Sequence, residues 1–253
     1  MVKMEEDMYL GHSLMKLKYC KLMKLELCAA SIEAIKIAKE LKFERIELCQ
    51  NLEQGGMTPS PGLIDYALAY GVETHVLIRP RPGGFIYNND EIEIILRDIL
   101  ECSVLGTHGV VIGVLNEFGE IHKDALALMI EKAGDMEVTF HRAFDDTVNY
   151  KRSLDILIEL GVKRLLTSGL GSNVERGMEN LKGMMEYADG RIEIMAGGGV
   201  NLNNISKIAE EVKPDAIHFS GTQKFLLDEN SMFSETILKM NKIKVRKLHA
   251  AVS

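Results

Sequence analysis

This chain is poor in cysteine, has no surplus of basic charge and contains no long apolar run, and each shortage closes off a class of protein. Four cysteines, Cys20, Cys28, Cys49 and Cys102, are too few and too scattered for a disulfide framework in 253 residues. In a reducing compartment they are expected as free thiols or metal ligands. The formal net charge of -7 removes the general electrostatic case for nucleic acid, whose binders present a basic face, and it disfavours anionic membrane surfaces. No segment approaches the roughly 18 apolar residues that a membrane-spanning helix needs. Residues 1–22 lack the uninterrupted apolar stretch of a secretory signal, so a cytoplasmic protein is expected. With 46% hydrophobic and 26% charged residues the composition is that of a soluble globular protein, of a length that suits one large barrel as well as two small domains.

What is present is an alternation of short apolar runs with helical patterns. Runs rich in Val, Ile and Leu lie at Lys24 to Ala29, Arg45 to Cys49, Glu73 to Ile78 and Gly109 to Val114, then at Glu137 to His141, Arg164 to Thr167, Arg191 to Ala196 and Ala216 to Phe219. Between them, Ser31 caps a helix with Ile32, Ile35, Ala38 and Leu41 on its apolar face. Thr58-Pro59 opens the next helix, with proline suited to the first helical position, and Gly71 closes it. Asn89 or Asp90 begins a longer one. The later helices follow Leu126, Met129, Ile130 and Ala133, then Leu154, Leu157 and Ile158, then Met178, Leu181 and Met185, then Leu202, Ile205 and Ile208. The eighth helix is poorly marked. The order implies an α/β protein folded as a single (β/α)8 TIM barrel. A doubly wound open sheet is the alternative, but no Gly-rich turn follows Cys28. Residues 1–22 form an N-terminal extension, residues 23–253 the barrel domain, and the tail beyond about residue 225 completes the barrel, meets a second subunit or frays.

Two of the strands end alike, Leu25-Glu26-Leu27-Cys28 and Ile46-Glu47-Leu48-Cys49. On parallel neighbours about 4.8 Å apart this places two thiols, and two carboxylates two residues before them on the same face, at equivalent positions facing one site. In a barrel of this kind the carboxyl ends of the strands carry the active site, and here they are polar. Glu26, Glu47, Arg79, Arg81, Arg142 and Asp145 are costly to bury alone and are expected to pair with one another, as an ion-pair network filling the mouth, or with a ligand. Gly197 to Gly199, with Gly198 and Gly199 central, and Ser220-Gly221 expose backbone N–H groups in the manner of a phosphate grip, or serve turn geometry alone. Ser168 and His218 close the sixth and eighth strands and join the ligand-binding candidates with Ser220. His141 is a general acid or base, a metal ligand or a structural histidine. Cys28 and Cys49 are either a soft metal site, since thiolates select Cu(I) and zinc, or small apolar residues filling the barrel. Cys102 falls on a helix face with Ile92, Ile95 and Ile99 and reads as core.

The segments Leu25 to Cys28, Arg45 to Cys49, Glu53 to Pro59 (EQGGMTP), Ile78 to Arg81, Val138 to Asp145 (VTFHRAFD), Leu165 to Gly169 (LLTSG), Ile194 to Val200 and His218-Phe219-Ser220 together resemble the CutC family, named as copper homeostasis proteins. The resemblance implies a TIM barrel, a cytoplasmic location and a homodimer, and Cu(I) held by Cys28 and Cys49. One departure stands after IRPR, where Pro82-Gly83-Gly84-Phe85 replaces the commoner Gly-Gly-Asp-Phe and an acidic side chain is lost. The first functional expectation is a copper homeostasis protein that binds Cu(I). The other is an enzyme acting on a small anionic or phosphorylated metabolite, with Arg79, Arg81 and the Gly-rich turns as anion holders and Glu47, His141 or Asp145 moving protons.

Overall fold

The computed structural model describes residues 23–226 and 236–252, so the expected extension over residues 1–22 lies outside the described residues. Eight parallel strands close on themselves in sequence order: β1 (Lys24–Ala29), β2 (Arg45–Leu48), β3 (Thr74–Leu77), β4 (Gly109–Ile112), β5 (Glu137–Phe140), β6 (Arg164–Thr167), β7 (Glu193–Ala196) and β8 (Ala216–Phe219), with β8 pairing back onto β1. The TIM-barrel reading is correct. Several strands stop one or two residues before the apolar runs do. Cys49, Ile78, Val114 and His141 therefore sit just past the last named strand residue, where the chain turns toward the mouth.

The helices follow from their caps. The Ser31 hydroxyl accepts from Ala34 N at 3.3 Å and starts α1 (Ile32–Leu41). The second helix, α2 (Pro61–Ala69), starts two residues later than the Thr58-Pro59 signal suggests. Ser60 is the residue whose side chain meets Leu63 N, and it is Pro61 that takes the first helical position. For α3 (Asn89–Leu105), Asn88 and Glu91 form a reciprocal capping box, one residue before the expected start. Next come α4 (Lys123–Ala133), α5 (Tyr150–Glu159) and α6 (Met178–Ala188). The helix expected from Leu202 begins only at Ile205, as α7 (Ile205–Lys207) running into a π-helical turn over Ile208–Val212. Asn201 and Asn204 cause the delay: Asn201 N donates to Asn204 Oδ1 and Asn203 N to Asn201 Oδ1, a turn that leaves Leu202 exposed.

Beyond β8 the chain forms an antiparallel pair, β9 (Thr222–Leu226) and β10 (Thr236–Met240), and then α8 (Lys242–Ala250). This last helix is polar on most sides, which is why its pattern is faint. It buries Val245 and Leu248, lies against α1 and pairs Arg246 with Glu40 at 2.6 Å. The described part of the tail thus packs onto the barrel through α8.

Period-two alternation then sorts the side chains. Leu25, Leu27, Ile46, Leu48, Val76, Val110, Ile112, Phe140, Leu165, Ile194 and Ile217 belong to the continuous core shared with the helices. Their neighbours fill the barrel interior. There the apolar groups form only small clusters, Cys28, Cys49, Leu77 and Val111 on one side and Leu166, Met195 and Ala216 on the other. The remaining interior is ionic. Arg45 is ion-paired to Glu26, and Arg164 donates to Thr139 Oγ1 (3.0 Å), Glu137 Oε2 (2.9 Å) and Glu193 Oε2 (3.0 Å). Room for the bulky interior rings comes from glycines on β4 and just past it. A Cβ on Gly109 would meet the His75 ring at 2.5 Å, and one on Gly113 the His141 ring at 2.3 Å.

Burial alone would raise the Glu26 carboxyl, but the Arg45 charge and the His218 hydrogen bond outweigh it and hold the group well below the usual carboxylate range. The stability this contributes is present above the unfolded value near 4.5 and is lost as pH falls toward the folded value. Glu26→Gln is expected to cost about 3–5 kcal/mol in urea unfolding at pH 7, because it strands Arg45, and to flatten the loss of stability below pH 4.5. A cost within error of zero would mean that the Arg45 charge is compensated elsewhere.

Candidate functional site

The carboxyl ends of the strands open into a cavity of about 550 Å³, and its floor is built by the two Glu-Leu-Cys segments. They do not meet at equivalent positions. In the β1–β2 register Cys28 lies opposite Glu47 and Glu26 opposite Arg45, a stagger of the kind that closing a tilted barrel imposes on its strands. The thiols nevertheless converge, with Cys28 Sγ 3.7 Å from Cys49 Sγ and 3.9 Å from Glu47 Oε1. Both cysteines are buried. The two carboxylates part company, Glu26 lying one level deeper beside Arg45 while Glu47 stays with the thiol.

From β8, His218 completes the floor. Its Nδ1 lies 2.7 Å from Glu26 Oε1, and donor atoms of Cys28, Glu47 and His218 come within 4.8 Å of one another. A carboxylate on one imidazole nitrogen with the other ring face turned to a ligand group is the usual outer-shell arrangement of metal-binding histidines. Charges here are interlocked. The Cys49 contact and burial push the Cys28 thiol well above its ordinary range. Burial opposes charge on His218, yet Glu47, Cys28 and Glu26 together raise it well above the usual imidazole value. Burial lifts Glu47 to about 7 against the pull of His218, and its Oε2 is buried with no hydrogen-bond partner. The net effect of the surroundings is to favour the protonated form of both Cys28 and His218. Cys28, with the Cys49 sulfur on one side and the Glu47 and His218 donors on the other, suits a soft or borderline cation.

A different chemistry occupies the opposite wall. Arg79 donates to the carbonyls of Gln54 (3.0 Å), Gly56 (2.9 Å) and Gly83 (2.7 Å), and its Nε–H has no partner. His141 accepts from Ala143 N through Nδ1 at 3.1 Å, which puts the proton of the neutral ring on Nε2. Burial, reinforced by the Arg79 and Arg142 charges, pushes His141 down to about 3, so the ring is neutral at physiological pH. Arg142 is paired with Asp145 at 2.8 Å and donates to Ser168 Oγ at 3.0 Å. It lies over Gly198, where a Cβ would come within 2.9 Å of the guanidinium carbon.

Several residues named from the sequence thus meet at this cavity: Cys28, Glu47, Arg79, His141, Arg142, Gly198, Gly199, His218 and Ser220 all line it. Others stand behind it. Asp145 accepts from Arg142 Nε, Thr167 Oγ1, Ser168 N, Ser168 Oγ and Leu170 N, so its oxygens organise the loop after β6. Ser168 is fully buried in that knot, its single hydroxyl proton shared between Asp145 and the Gly171 carbonyl, 2.6 Å away. Cys49 lies against Cys28 below the lining, and Glu26 orients His218. Arg81 faces another way. It pairs with Glu91, donates to the carbonyls of Gly84 and Ile86, and borders a separate recess with Asn116 and Asp146. Reading strand ends missed Arg45, Phe85 and Lys244. Arg45 was accessible, because Arg45, Glu47 and Cys49 alternate along one strand face. Lys244 was not, since it reaches the mouth from a helix far along the chain.

The sequence pattern of the CutC family matches residues 23–223. The CutC family protein of Vibrio atlanticus is 42% identical over 212 residues, covering 82% of this chain and 86% of that protein. Its counterpart from Enterococcus faecalis is 42% identical over 201 residues, covering 76% and 96%. Among solved structures, one named for a copper homeostasis protein CutC from Streptococcus agalactiae superposes with a TM-score of 0.74 at 34% identity, covering 78% of this chain and 97% of that one. A phosphoribosyl anthranilate isomerase from Thermotoga maritima, with a TM-score of 0.57 at 14% identity over 91% and 98% of the two chains, shares the fold alone. Length, identity and architecture agree, and the chain belongs to the CutC family.

Proposed function

We propose that this protein serves copper homeostasis in the cytoplasm and binds one Cu(I) ion, as cargo, between Cys28 and Cys49, with His218 as the neighbouring donor. The observation that carries the reading is the approach of the two buried thiols to 3.7 Å across a strand stagger that need not have brought them together. Thiolate donors favour Cu(I) and zinc over hard cations, and a low-coordinate soft ion needs few of them. The name of the Streptococcus agalactiae relative points the same way, and no helix of the described residues is long and apolar enough to cross a membrane.

The role of each group follows from its charge state. Both sulfurs must lose a proton to bind, and the Cys28 thiol resists this because Cys49 and burial hold it high. Glu47 and the imidazole of His218 lie beside the leaving proton, and Glu26, held to Nδ1, leaves the other ring nitrogen for the sulfur side.

Anaerobic titration of the reduced protein with Cu(I) against a competing chelator is expected to give one tight equivalent, weakened at least about tenfold, or 1.4 kcal/mol, by Cys28→Ser or Cys49→Ser and unchanged by Cys102→Ser. Equal binding in all variants would leave the thiols as packing. Because thiol protons are released on binding, the apparent affinity is expected to rise with pH across pH 6 to 8, by about tenfold per unit for each proton released. A flat profile would mean that the ion does not bind as a thiolate complex.

A further inference from the structure

The wall facing the thiols has no part in holding Cu(I), yet it is the more unusual half of the cavity. Arg79 is 6% exposed, and no carboxylate of the described residues lies within ion-pair distance of its guanidinium. Only some of its five N–H groups are engaged, by the carbonyls of Gln54, Gly56 and Gly83. Carbonyl dipoles position a guanidinium but leave its charge uncompensated, an expensive state for a buried ion. His141, 5% exposed, presents Nε2–H without a partner, and the bond from Ala143 N to Nδ1 settles that this nitrogen is the donor. Both groups border one aromatic side chain, Phe85, whose ring centroid is 5.4 Å from the Arg79 guanidinium carbon and 4.8 Å from the His141 ring centroid.

Two further cations line the same cavity, Arg142 at the rim, paired with Asp145, and Lys244 from α8, whose Nζ donates to the Thr222 carbonyl at 3.1 Å. Glu47 is the one acidic residue in the lining. A chain of net charge -7 has thus gathered cations at a low-dielectric mouth, which focuses potential on an anion. Bound water would satisfy a lone donor or acceptor, but it would not neutralise Arg79. Across from these donors, Glu47 Oε2 is an acceptor with no partner. The volume of about 550 Å³ lies within the usual range for small-molecule sites.

We infer that this cavity binds a small organic oxyanion, a carboxylate or a phosphate monoester, with its charged group against Arg79, His141 and Arg142 and a hydroxyl group turned to Glu47. The groups that hold the charge are separate from the thiol pair, while Glu47 borders both. Gly113 and Gly198 are part of it, since a side chain at either position would collide with the His141 ring or the Arg142 guanidinium.

The test uses the full chain and four probes, glycolate, acetate, glycerol phosphate and inorganic phosphate, in calorimetry and thermal melting. Saturable binding with a rise in Tm is expected for the hydroxyl-bearing member of at least one pair. That member is expected to bind about tenfold tighter than its simpler counterpart, the worth of one hydrogen bond to a charged group. In long-range proton–nitrogen spectra the Nε2 signal of His141 is expected to shift at saturation. His141→Phe and Arg79→Gln are expected to weaken binding at least tenfold, while the double variant Cys28→Ser, Cys49→Ser retains it. A response to glycerol phosphate alone assigns a phosphate ester, and one to glycolate alone a carboxylate. No saturable binding by any probe would overturn the inference, as would binding that leaves the His141 signal of the wild-type protein in place. The spectroscopic readout decides the matter even where Arg79→Gln disturbs the loops that Arg79 ties together.

Discussion

Glu26 is the group on which the rest of the site depends. Its carboxylate is wholly buried, paired on one side with Arg45 from the next strand and on the other with His218 from the last. The contacts tie β1 to both of its neighbours in the closed sheet, at the seam where the first and eighth strands meet. They also fix the His218 ring, and with it the nitrogen that faces Cys28 and Glu47. An apolar residue at position 26 would be cheaper to bury, but Arg45 would then lack its counter-charge and His218 its orientation. One interior ion pair therefore connects barrel closure to the chemistry above it.

The cavity over that pair divides into two unlike halves. Sulfur, imidazole and a carboxyl raised toward neutrality make up one half, while Arg79, whose charge no carboxylate of the described residues meets, Arg142 and a neutral histidine make up the other. Small residues make room for the second half and for the interior beneath it. Glycine at 109 and 113 on the β4 side admits His75 and His141 into the interior, and glycine at 198 lets Arg142 lie flat on the turn after β7. In this protein the Gly-rich turn makes space for a guanidinium as much as it exposes backbone N–H groups. The copper reading draws on the first half and the oxyanion reading mainly on the second, with Glu47 common to both.

Much of this was legible in the chain. The alternation of β2, Arg45-Ile46-Glu47-Leu48-Cys49, already separates a polar inner face from an apolar outer one, and the repeated Glu-Leu-Cys ending marks where β1 and β2 carry function. Caps at Ser31 and the run before Gly134 placed helices correctly. Thr58-Pro59 misled because Ser60-Pro61 offers the same signal two residues on, and local preference does not choose between adjacent caps. Leu202 misled because the side chains of Asn201 and Asn204 compete with helix formation for the same backbone groups.

By itself, the sequence determined the fold class, the identity of the strand-end residues and the face on which each points, because periodicity is a local property of the backbone. Tertiary structure alone decided which of those residues share a cavity. Closing the sheet staggers β1 against β2, so that Cys28 meets Glu47 while Glu26 drops to Arg45. Closure also brings His218 from the far end of the barrel onto Glu26, and the pairing of neighbouring strands sets Asp145 against the loop after β6. These outcomes depend on strand tilt and on contacts between segments far apart in the chain, which no local pattern encodes.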